Sequence, residues 1–382
     1  MFDMTPRDVM FVVGARPQFI KSAPVIQEIL RRHGRINLSI VHSGQHYDPE
    51  MSSIFFRELH IPKPSLNLDT GSGSHAAQTA AIMQGVEHAI ALRKPDLIVA
   101  PGDTNTTLAA ALTAAKLQVP VAHLEAGLRS GDFTMPEEVN RVLTDHCSTL
   151  NFAPTRTAVR NLRSEGLADS VRLTGDTMVD AMRLVAAEVG KAEKSVVAKF
   201  DSIGFDYVLV TLHRPSNVDD LDRLEGIHRA LRKVALKMKV IFLVHPRTRA
   251  RLARLGRKHA DGKLPLLEAK PQGYVETLAL LKNSACLLTD SGGMQKEAYL
   301  LHTPCLTLRS TTEWPETLAG RANRLITNPN QIPAAIVEIA FNEKLRKDIR
   351  ELKNPFGDGH ASIRVAQLIE RAVTAKKDRF PL

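Results

Sequence analysis

The sequence predicts an α/β protein made of two doubly wound domains that face a cleft. Its 382 residues exceed what one hydrophobic core usually organises. Short apolar runs alternate with segments of helical period, which is the pattern of β-α units around a parallel sheet. This rhythm breaks at a polar, helical stretch around residues 180–205 and then restarts, so each half is expected to build its own sheet.

In the first half, six short apolar runs are typical of fully buried strands. They are "VMFVVGA" (9–15), "LSIVHSG" (38–44), "DLIVAPGD" (96–103), "VPVAHLEAG" (119–127), "TLNFAP" (149–154) and "VRLTGD" (171–176). Segments between them, such as "HAAQTAAIMQGVEHAIALRK" (75–94), have the length of helices. We therefore expect residues 1–178 to form the first domain.

The second half repeats the pattern with four further runs. They are "YVLVTLH" (207–213), "KVIFLVHP" (239–246), "ACLLTDSGG" (285–293) and "PCLTLRS" (304–310). Residues 179–361 are accordingly expected to form a second domain of the same kind.

Composition narrows the class of protein. The 43% apolar and 24% charged content is ordinary for a globular protein. Neither a membrane-spanning run nor a signal peptide is recognisable, so we expect a cytoplasmic protein without a membrane partner. The three cysteines stand far apart, which argues against a disulfide framework and a zinc site; no metal is expected.

The net charge of +10 raises the question of a nucleic-acid partner. Basic stretches such as "RLARLGRKH" (251–259) also fit the solvated face of an amphipathic helix. Aromatic residues make up only 5% of the chain, too few for the stacking surfaces of single-strand binders. The charge therefore favours anionic small molecules, and no nucleic-acid partner is expected.

Polar residues follow the apolar runs in both halves. Since ligands of open parallel sheets bind beyond the carboxyl ends of the strands, these residues are site candidates. They are Arg16, Lys21, Gln45, His46, Asp103, Glu125, His213, Arg214, His245 and the turn Ser291-Gly292-Gly293. One such residue alone is more often a structural cap, but repetition at equivalent strand ends indicates a binding site.

The stretch "TDSGGMQKEA" (289–298) places a Ser-Gly-Gly turn between a strand and a helix. Backbone amides and the positive end of that helix could hold a phosphate, and Glu297 could accept the hydroxyls of a ribose. The alternative is an ordinary tight turn with a surface glutamate. With Arg16 and Lys21 adding positive charge, a nucleotide diphosphate is the favoured ligand class.

The chemistry must come from side chains, because the fingerprints of nicotinamide and P-loop sites do not occur in the sequence. Asp103, Glu125, Glu137 and His213 supply the groups needed for general acid and base catalysis. Crowded carboxylates raise one another's pKa, so one can be protonated while another acts as a base. The charged stretch "HLEAGLRSGDFTMPEEVNR" (123–141) is thus either a solvated loop or part of an active site.

A set of motifs resembles one known family, the non-hydrolysing UDP-N-acetylglucosamine 2-epimerases. In the family's order they are "GARPQFIK", "SGQHYD", "PGDTNTT", "HLEAGLRSGD", "MPEEVNR", "TLHRPSN", "TDSGGMQKEA" and "TTEWPE". The resemblance implies a fold of the glycosyltransferase-B type, with two Rossmann-like domains. It also implies that a final helix, within residues 362–382, returns to the first domain.

The activity implied by this resemblance is reversible inversion at C2 of UDP-N-acetylglucosamine to give UDP-N-acetylmannosamine. The family eliminates UDP to form a 2-acetamidoglucal and then adds it back, without a cofactor. By resemblance, Asp103, Glu125 and Glu137 transfer protons and His213 lies near the leaving diphosphate. The residues that correspond to nucleotide-holding positions are Arg16, Lys21, Arg141, His245, Ser291, Gly292, Gly293 and Glu297.

Relatives also suggest a homodimer and, in some cases, a regulatory substrate copy near Gln45 and His46. The chain departs from many family members at Gln18, Pro215 and Trp314, which leaves the nucleotide sugar open. A related UDP-diacetamido uronic acid is one alternative substrate, and a hydrolysing epimerase is an alternative activity. A glycosyltransferase and a non-catalytic nucleotide-sugar or RNA binder are the remaining alternatives.

Overall fold

The computed structural model describes residues 6–32, 34–44, 58–201, 207–255 and 266–374. Contacts divide the chain into two units, one formed by the residues up to Val185 together with those from Pro355 onward, the other by Ala186–Asn354. The sequence placed the two changes of unit after residues 178 and 361. The helix at Thr177–Leu184 packs against the first helix of the first unit, so its contacts keep it in that unit.

The first unit contains a parallel sheet of seven strands in the described part of the chain. The strands are β1 (Arg7–Val13), β2 (Ile36–His42), β3 (Leu66–Asn67), β4 (Leu97–Pro101), β5 (Val121–Leu124), β6 (Leu150–Ala153) and β7 (Val171–Leu173). Their order across the sheet is β3-β2-β1-β4-β5-β6-β7. The central strands are apolar without alternation because helices cover both faces.

Six helices follow these strands in the first unit's N-terminal part, among the residues described. They are α1 (Arg16–Arg31), α2 (His75–Arg93), α3 (Asn105–Lys116), α4 (Pro136–Cys147), α5 (Arg156–Ser164) and α6 (Thr177–Leu184). Ser74, Thr104 and Thr155 cap α2, α3 and α5 through their side-chain oxygens, and proline occupies the first turn of α4. Buried alanines in α3, among them Ala110 and Ala114, allow α3 to pack closely on the sheet.

The second unit contains a parallel sheet of six strands within its described residues. The strands are β8 (Tyr207–Thr211), β9 (Lys239–Leu243), β10 (Leu266–Ala269), β11 (Cys286–Thr289), β12 (Cys305–Thr307) and β13 (Asn323–Leu325). They lie in the order β10-β9-β8-β11-β12-β13. Two parallel α/β sheets confirm the predicted class of fold.

The helices of the second unit are α7 (Ala186–Ala198), α8 (Pro215–Val218), α9 (Leu221–Ala235), α10 (Pro246–Leu252), α11 (Tyr274–Lys282), α12 (Gly292–Leu300), α13 (Ile332–Ala340) and α14 (Glu343–Arg350). Short 3-10 segments occur at Ala253–Leu255, Pro315–Arg321 and Pro329–Gln331. The final helix, α15 (Ala361–Thr374), belongs to the first unit and packs on α1 and α6. Within the described ranges, no helix combines the length and apolarity needed to cross a membrane.

Each sheet has a point at which the order of its strands reverses, between β1 and β4 in one and between β8 and β11 in the other. Ligands of doubly wound sheets bind at the carboxyl ends of the strands beside such a point. The register pairs Pro101 with Leu124, so the next residues, Gly102 and Glu125, follow neighbouring strand ends. The fold therefore gathers the polar residues that follow these strands at one edge of each sheet.

Substitution of Gly127 shows how closely the loop after β5 packs against its surroundings. Its φ is +81°, and an added Cβ would lie 2.5 Å from the backbone oxygen of Ala158. Gly127→Ala should therefore destabilise the first unit by about 3 kcal/mol, from left-handed strain plus overpacking. Gly131, also left-handed but with open space around it, is the control, and Gly131→Ala should cost only about 1 kcal/mol.

Hydrogen exchange of β5 and β6 peptides measures both variants, since it reports the first unit directly. Equal loss of protection in the two variants would show that the contact with Ala158 is not limiting.

Candidate active site

The first unit carries a cluster of charged residues at the carboxyl edge of its sheet. We call it the first-unit cluster, and it consists of Lys21, Asp103, Glu125, Glu137, Glu138 and Arg141. Its members come from the loops after β4 and β5 and from helices α1 and α4.

Glu125 directly follows β5 and has a left-handed backbone with φ of +77°. This conformation is costly for a residue with a side chain and is retained where the surroundings over-determine it, often at functional sites. Its carboxylate forms an ion pair with the ammonium group of Lys21, and both side chains are less than a tenth exposed. Lys21 is thus directed at Glu125, whose carboxylate it holds in place.

Asp103, in the loop after β4, is held by Arg141 of α4. Arg141 Nε and Nη2 lie 3.1 and 3.0 Å from Asp103 Oδ2. The Arg141 side chain is 1% exposed and that of Asp103 is 26% exposed. The guanidinium group therefore fixes an acid that solvent or a ligand can still reach.

Glu137 and Glu138 occupy adjacent positions in the first turn of α4, where the positive end of the helix favours carboxylates. Glu137 is half-buried, whereas Glu138 is buried and forms an ion pair with Arg141. The Glu138 oxygens also accept hydrogen bonds from the Ser130 amide and hydroxyl and from the Gly131 amide, at 2.9–3.0 Å. The sequence prediction included Glu137 and missed Glu138.

His123 lies in β5 and is fully buried beneath the cluster. Its Nδ1 is 2.6 Å from Asp145 Oδ1 and its Nε2 is 2.7 Å from the carbonyl oxygen of Gly102. Burial alone would raise the pKa of Asp145, but the neighbouring His123 and Arg129 lower it below the ordinary value. This chain of contacts orients Gly102, the residue before Asp103, and was not predicted from the sequence.

Gln18, one of the departures from the family pattern, joins the loops after β1 and β4. Its Oε1 accepts from the amides of Gly14 and Ala15 at 2.8 and 3.0 Å. Its Nε2 donates to the Pro101 carbonyl at 2.9 Å and to Thr107 Oγ1 at 3.1 Å. Glutamine suits this place because it offers an acceptor and a donor at once, which an ionised glutamate cannot.

The second unit has its own cluster, which is organised around Asp290 at the end of β11. Asp290 is fully buried and accepts from the backbone amides of His213 and Arg214 at 3.0–3.1 Å and from Asn217 Nδ2 at 3.0 Å. Burial raises its pKa, but the His213 charge and these hydrogen bonds outweigh burial and bring the pKa to about 2. Asp290 was not among the predicted site residues.

His213, which was predicted, is oriented by Asp290. Its Nδ1 lies 3.1 Å from Asp290 Oδ1, which leaves Nε2 as the ring nitrogen available to a ligand. The His245 ring lies beside it, with centroids 5.5 Å apart, and His245 Nδ1 accepts from the Arg247 amide as the cap of α10. The two predicted histidines are therefore neighbours at one edge of the second sheet.

The predicted Ser-Gly-Gly turn begins α12. Ser291 is the N-cap, and the amides of Gly292 and Gly293 belong to the first helical turn, whose donors have no acceptor within the helix. A Cβ at Gly292 would lie 2.1 Å from Glu313 Oε1, so a larger residue here would displace this carboxylate. Glu297, one turn further along, is buried.

Trp314, another departure from the family pattern, is buried next to this turn. Its indole ring covers the fully buried Lys296, whose Nζ is 3.8 Å from the ring centroid. Glu313, the preceding residue, pairs with Arg309 at 2.7 Å and approaches Arg214 at 3.8 Å. The "TTEWPE" motif thus packs the Glu313 carboxylate and the Trp314 ring beside the Ser-Gly-Gly turn.

Two predicted residues, Gln45 and His46, lie outside the described residues. Arg16 begins α1 and is half-buried. Among the residues that are described, no group of three or more His, Cys, Asp or Glu side chains is placed to hold a metal ion.

Two doubly wound sheets, each with charged residues at its carboxyl edge, define a class of α/β proteins that bind nucleotide ligands. The family model described as UDP-N-acetylglucosamine 2-epimerase matches residues 28–370. The UDP-N-acetylglucosamine 2-epimerase of Methanocaldococcus jannaschii is 42% identical over 366 residues, covering 94% of this chain and 97% of that protein.

A second relative is the UDP-2,3-diacetamido-2,3-dideoxy-D-glucuronate 2-epimerase of Pseudomonas aeruginosa. It is 41% identical over 367 residues, which cover 95% of this chain and 99% of that protein. The crystal structure of the M. jannaschii enzyme in complex with UDP-GlcNAc and UDP matches with a TM-score of 0.86, covering 95% of this chain and 99% of that one. The chain belongs to the UDP-N-acetylglucosamine 2-epimerase family, and the predicted fold of two Rossmann-like domains of the glycosyltransferase-B type is confirmed.

Asp290 should make the stability of the second unit depend on pH. Its pKa is about 2 in the folded protein, below the value of an unfolded aspartate, so its contribution is present above about pH 4 and is lost as the pH falls towards 2. The difference in unfolding free energy between the wild type and Asp290→Asn should therefore shrink by roughly 2 kcal/mol between pH 5 and pH 2.

The chain has a single tryptophan, Trp314, so urea unfolding followed by its fluorescence reports the second unit alone. A difference that stays constant with pH would contradict the buried, charged state of Asp290.

Proposed function

We propose that the protein interconverts UDP-N-acetylglucosamine and UDP-N-acetylmannosamine by inversion at C2. The observation that carries this proposal is the first-unit cluster, in which Asp103 and Glu125 are each held by a buried cation and Glu137 lies in the first turn of α4. Family membership supports it, since relatives of closely similar length are UDP-sugar 2-epimerases. Three acids at one sheet edge suit a reaction that removes a proton and later returns one.

The proposed reaction has two steps, and both are balanced in atoms and charge. In the first, a carboxylate removes the proton at C2 while the C1–O bond to UDP breaks, which gives 2-acetamidoglucal and UDP. In the second, an acid delivers a proton to the other face of C2 while a UDP oxygen bonds to C1. Asp103, Glu125 and Glu137 are the groups proposed to carry these protons.

The environment of these acids supports different roles for them. Glu125 is buried and its carboxylate is positioned by the ion pair with Lys21, and we propose it as a base. Asp103 is one quarter exposed and so is the acid more open to exchange with solvent. Glu137 lies in the first turn of α4 and is half-buried.

We assign the second unit's His213, His245, Glu297 and the turn Ser291-Gly292-Gly293 to binding of the uridine diphosphate. The amides of Gly292 and Gly293 at the start of α12 would bind a phosphate, with His213 and His245 beside them. Glu297 would accept the ribose hydroxyls. Asp290 contributes by directing His213 Nε2 outward, as a carboxylate orients a catalytic histidine in other enzymes.

A UDP-diacetamido uronic acid is the second candidate substrate. The specific observation in its favour is that the relative with this activity is as similar to the chain as the relative that acts on UDP-N-acetylglucosamine, 41% against 42% identity. The departures at Gln18 and Trp314 do not separate the two candidates, because both side chains are buried in contacts with protein groups.

Incubation with each nucleotide sugar in deuterated water, followed by NMR, tests the function. The proposal expects deuterium at C2, a manno-configured nucleotide sugar and slow release of UDP. Free N-acetylmannosamine with stoichiometric UDP would identify a hydrolysing epimerase instead. Absence of exchange without an added acceptor would favour a glycosyltransferase.

Glu125→Gln and Glu137→Gln should each lower turnover at least about 100-fold while leaving UDP affinity within about threefold, because each removes an acid or base and not a nucleotide contact. Glu370→Gln is the control, since Glu370 is also a paired carboxylate of the first unit but contacts Arg32 and Arg35 next to the start of β2. Kinetics and calorimetric UDP titration give the two quantities. Turnover close to that of the wild type in both variants would reject the assignment.

We also propose a homodimer, formed through the exposed apolar side of α4 and the loop before it. Phe133, Val139 and Leu143 are 65%, 36% and 45% exposed there. Light scattering after size exclusion should give the mass of two chains. Leu143→Glu should shift the mass towards one chain, whereas Leu236→Glu, at a more exposed leucine of the second unit, should not; an unshifted dimer would place the interface elsewhere.

A further inference from the structure

We propose that Glu138 is a positioning residue for proton transfer, which acts through Arg141 and through the loop that follows Glu125. The inference rests on the proposed function and deepens it. Glu138 is 1% exposed, so it is too enclosed to reach a substrate itself. Its role is to hold Arg141 and the loop after β5 in place.

On one side Glu138 holds Arg141. The two residues lie three positions apart on α4 and form an ion pair in which both side chains are about 1% exposed. Arg141 uses its remaining nitrogens to hold Asp103 at 3.0 and 3.1 Å. The position of Asp103 therefore depends on an arginine that is itself anchored by Glu138.

On the other side Glu138 holds the loop after β5. The Ser130 amide donates to both carboxylate oxygens at 2.9 and 3.0 Å, and the Gly131 amide donates at 2.9 Å. The Ser130 hydroxyl donates as well, at 3.0 Å. These residues end the short segment that starts at Glu125, so Glu138 restrains that segment at its far end.

Glu138 also sets the direction of Glu137. Successive residues of an α-helix are rotated by about 100°, so an inward anchor at Glu138 fixes the side towards which Glu137 projects. The positions of Asp103, Glu125 and Glu137 thus all depend on one buried carboxylate, that of Glu138.

The chemistry of the contacts requires a carboxylate at this position. Every described partner of Glu138 is a donor, and an ionised carboxylate is a pure acceptor with room for all of them. In Glu138→Gln the amide nitrogen would face another donor, so Arg141 or the Ser130 loop must move. Glu138→Asp keeps the charge and the acceptors but shortens the reach by one methylene.

The fate of the glucal intermediate can be measured, and a mere loss of protein stability would not change it. After elimination, the glucal is either protonated and rejoined to UDP or released with UDP. The ratio of released glucal to epimerised product is a ratio of rate constants, so it does not depend on how much enzyme is folded. A displaced acid slows protonation and raises this ratio.

The experiment measures this ratio by NMR for the wild type, Glu138→Gln, Glu138→Asp and the control Glu370→Gln. We expect Glu138→Gln to raise the ratio at least about tenfold, since an ångström of misplacement can cost a hundredfold in rate. Glu138→Asp should give an intermediate value, and Glu370→Gln should match the wild type. An unchanged ratio in folded Glu138→Gln would overturn the inference.

If Glu138→Gln does not fold, Ser130→Ala decides the question, because it removes one donor to Glu138 and leaves the carboxylate in place. A raised ratio in Ser130→Ala supports the inference and an unchanged ratio rejects it. A wild-type protein that neither exchanges deuterium at C2 nor forms product would overturn the proposed function, and the inference with it. The wild-type activity is therefore measured before any variant is made.

Discussion

The charged clusters of both units depend on the same interaction, a carboxylate buried at the carboxyl edge of a parallel sheet with its oxygens saturated by hydrogen bonds. Glu138 accepts hydrogen bonds from the Ser130–Gly131 loop and pairs with Arg141. Asp290 accepts hydrogen bonds from the amides of His213 and Arg214. An unpaired buried charge would be very costly, so each carboxylate requires its donors in place. The loops that follow the strands are therefore rigid where the proposed chemistry takes place.

A second principle is that reactive and supporting acids differ in exposure. The supporting carboxylates, Glu138 and Asp290, are fully buried, whereas Asp103 and Glu137 keep contact with the surface. Glu125 lies between these limits and has a strained backbone that its ion pair with Lys21 helps to retain. Strain and buried charge reduce stability, and the large apolar sheets offset that cost.

The sequence was sufficient to predict the central strands of both sheets, because strands covered by helices on both faces are continuous apolar runs. It missed β3, β10 and β13, which are edge strands of two to four residues and carry little of that signal. Candidate site residues after β1, β4, β5, β8 and β11 follow from the rule that ligands bind at the carboxyl ends of the strands. Glu138, Asp145 and Asp290 could not, since their importance lies in contacts between segments that only the folded chain brings together.

The first unit is built from two separate stretches of chain, with α15 added after the whole of the second unit. During synthesis on the ribosome, the residues up to Val185 emerge first but lack the helix that covers α1 and α6. The second unit is continuous, so it has all of its contacts available earlier. We expect maturation of the N-terminal half to wait until α15 has been translated, and the uncovered α1 surface to be the part of the nascent chain most exposed to chaperones and to aggregation.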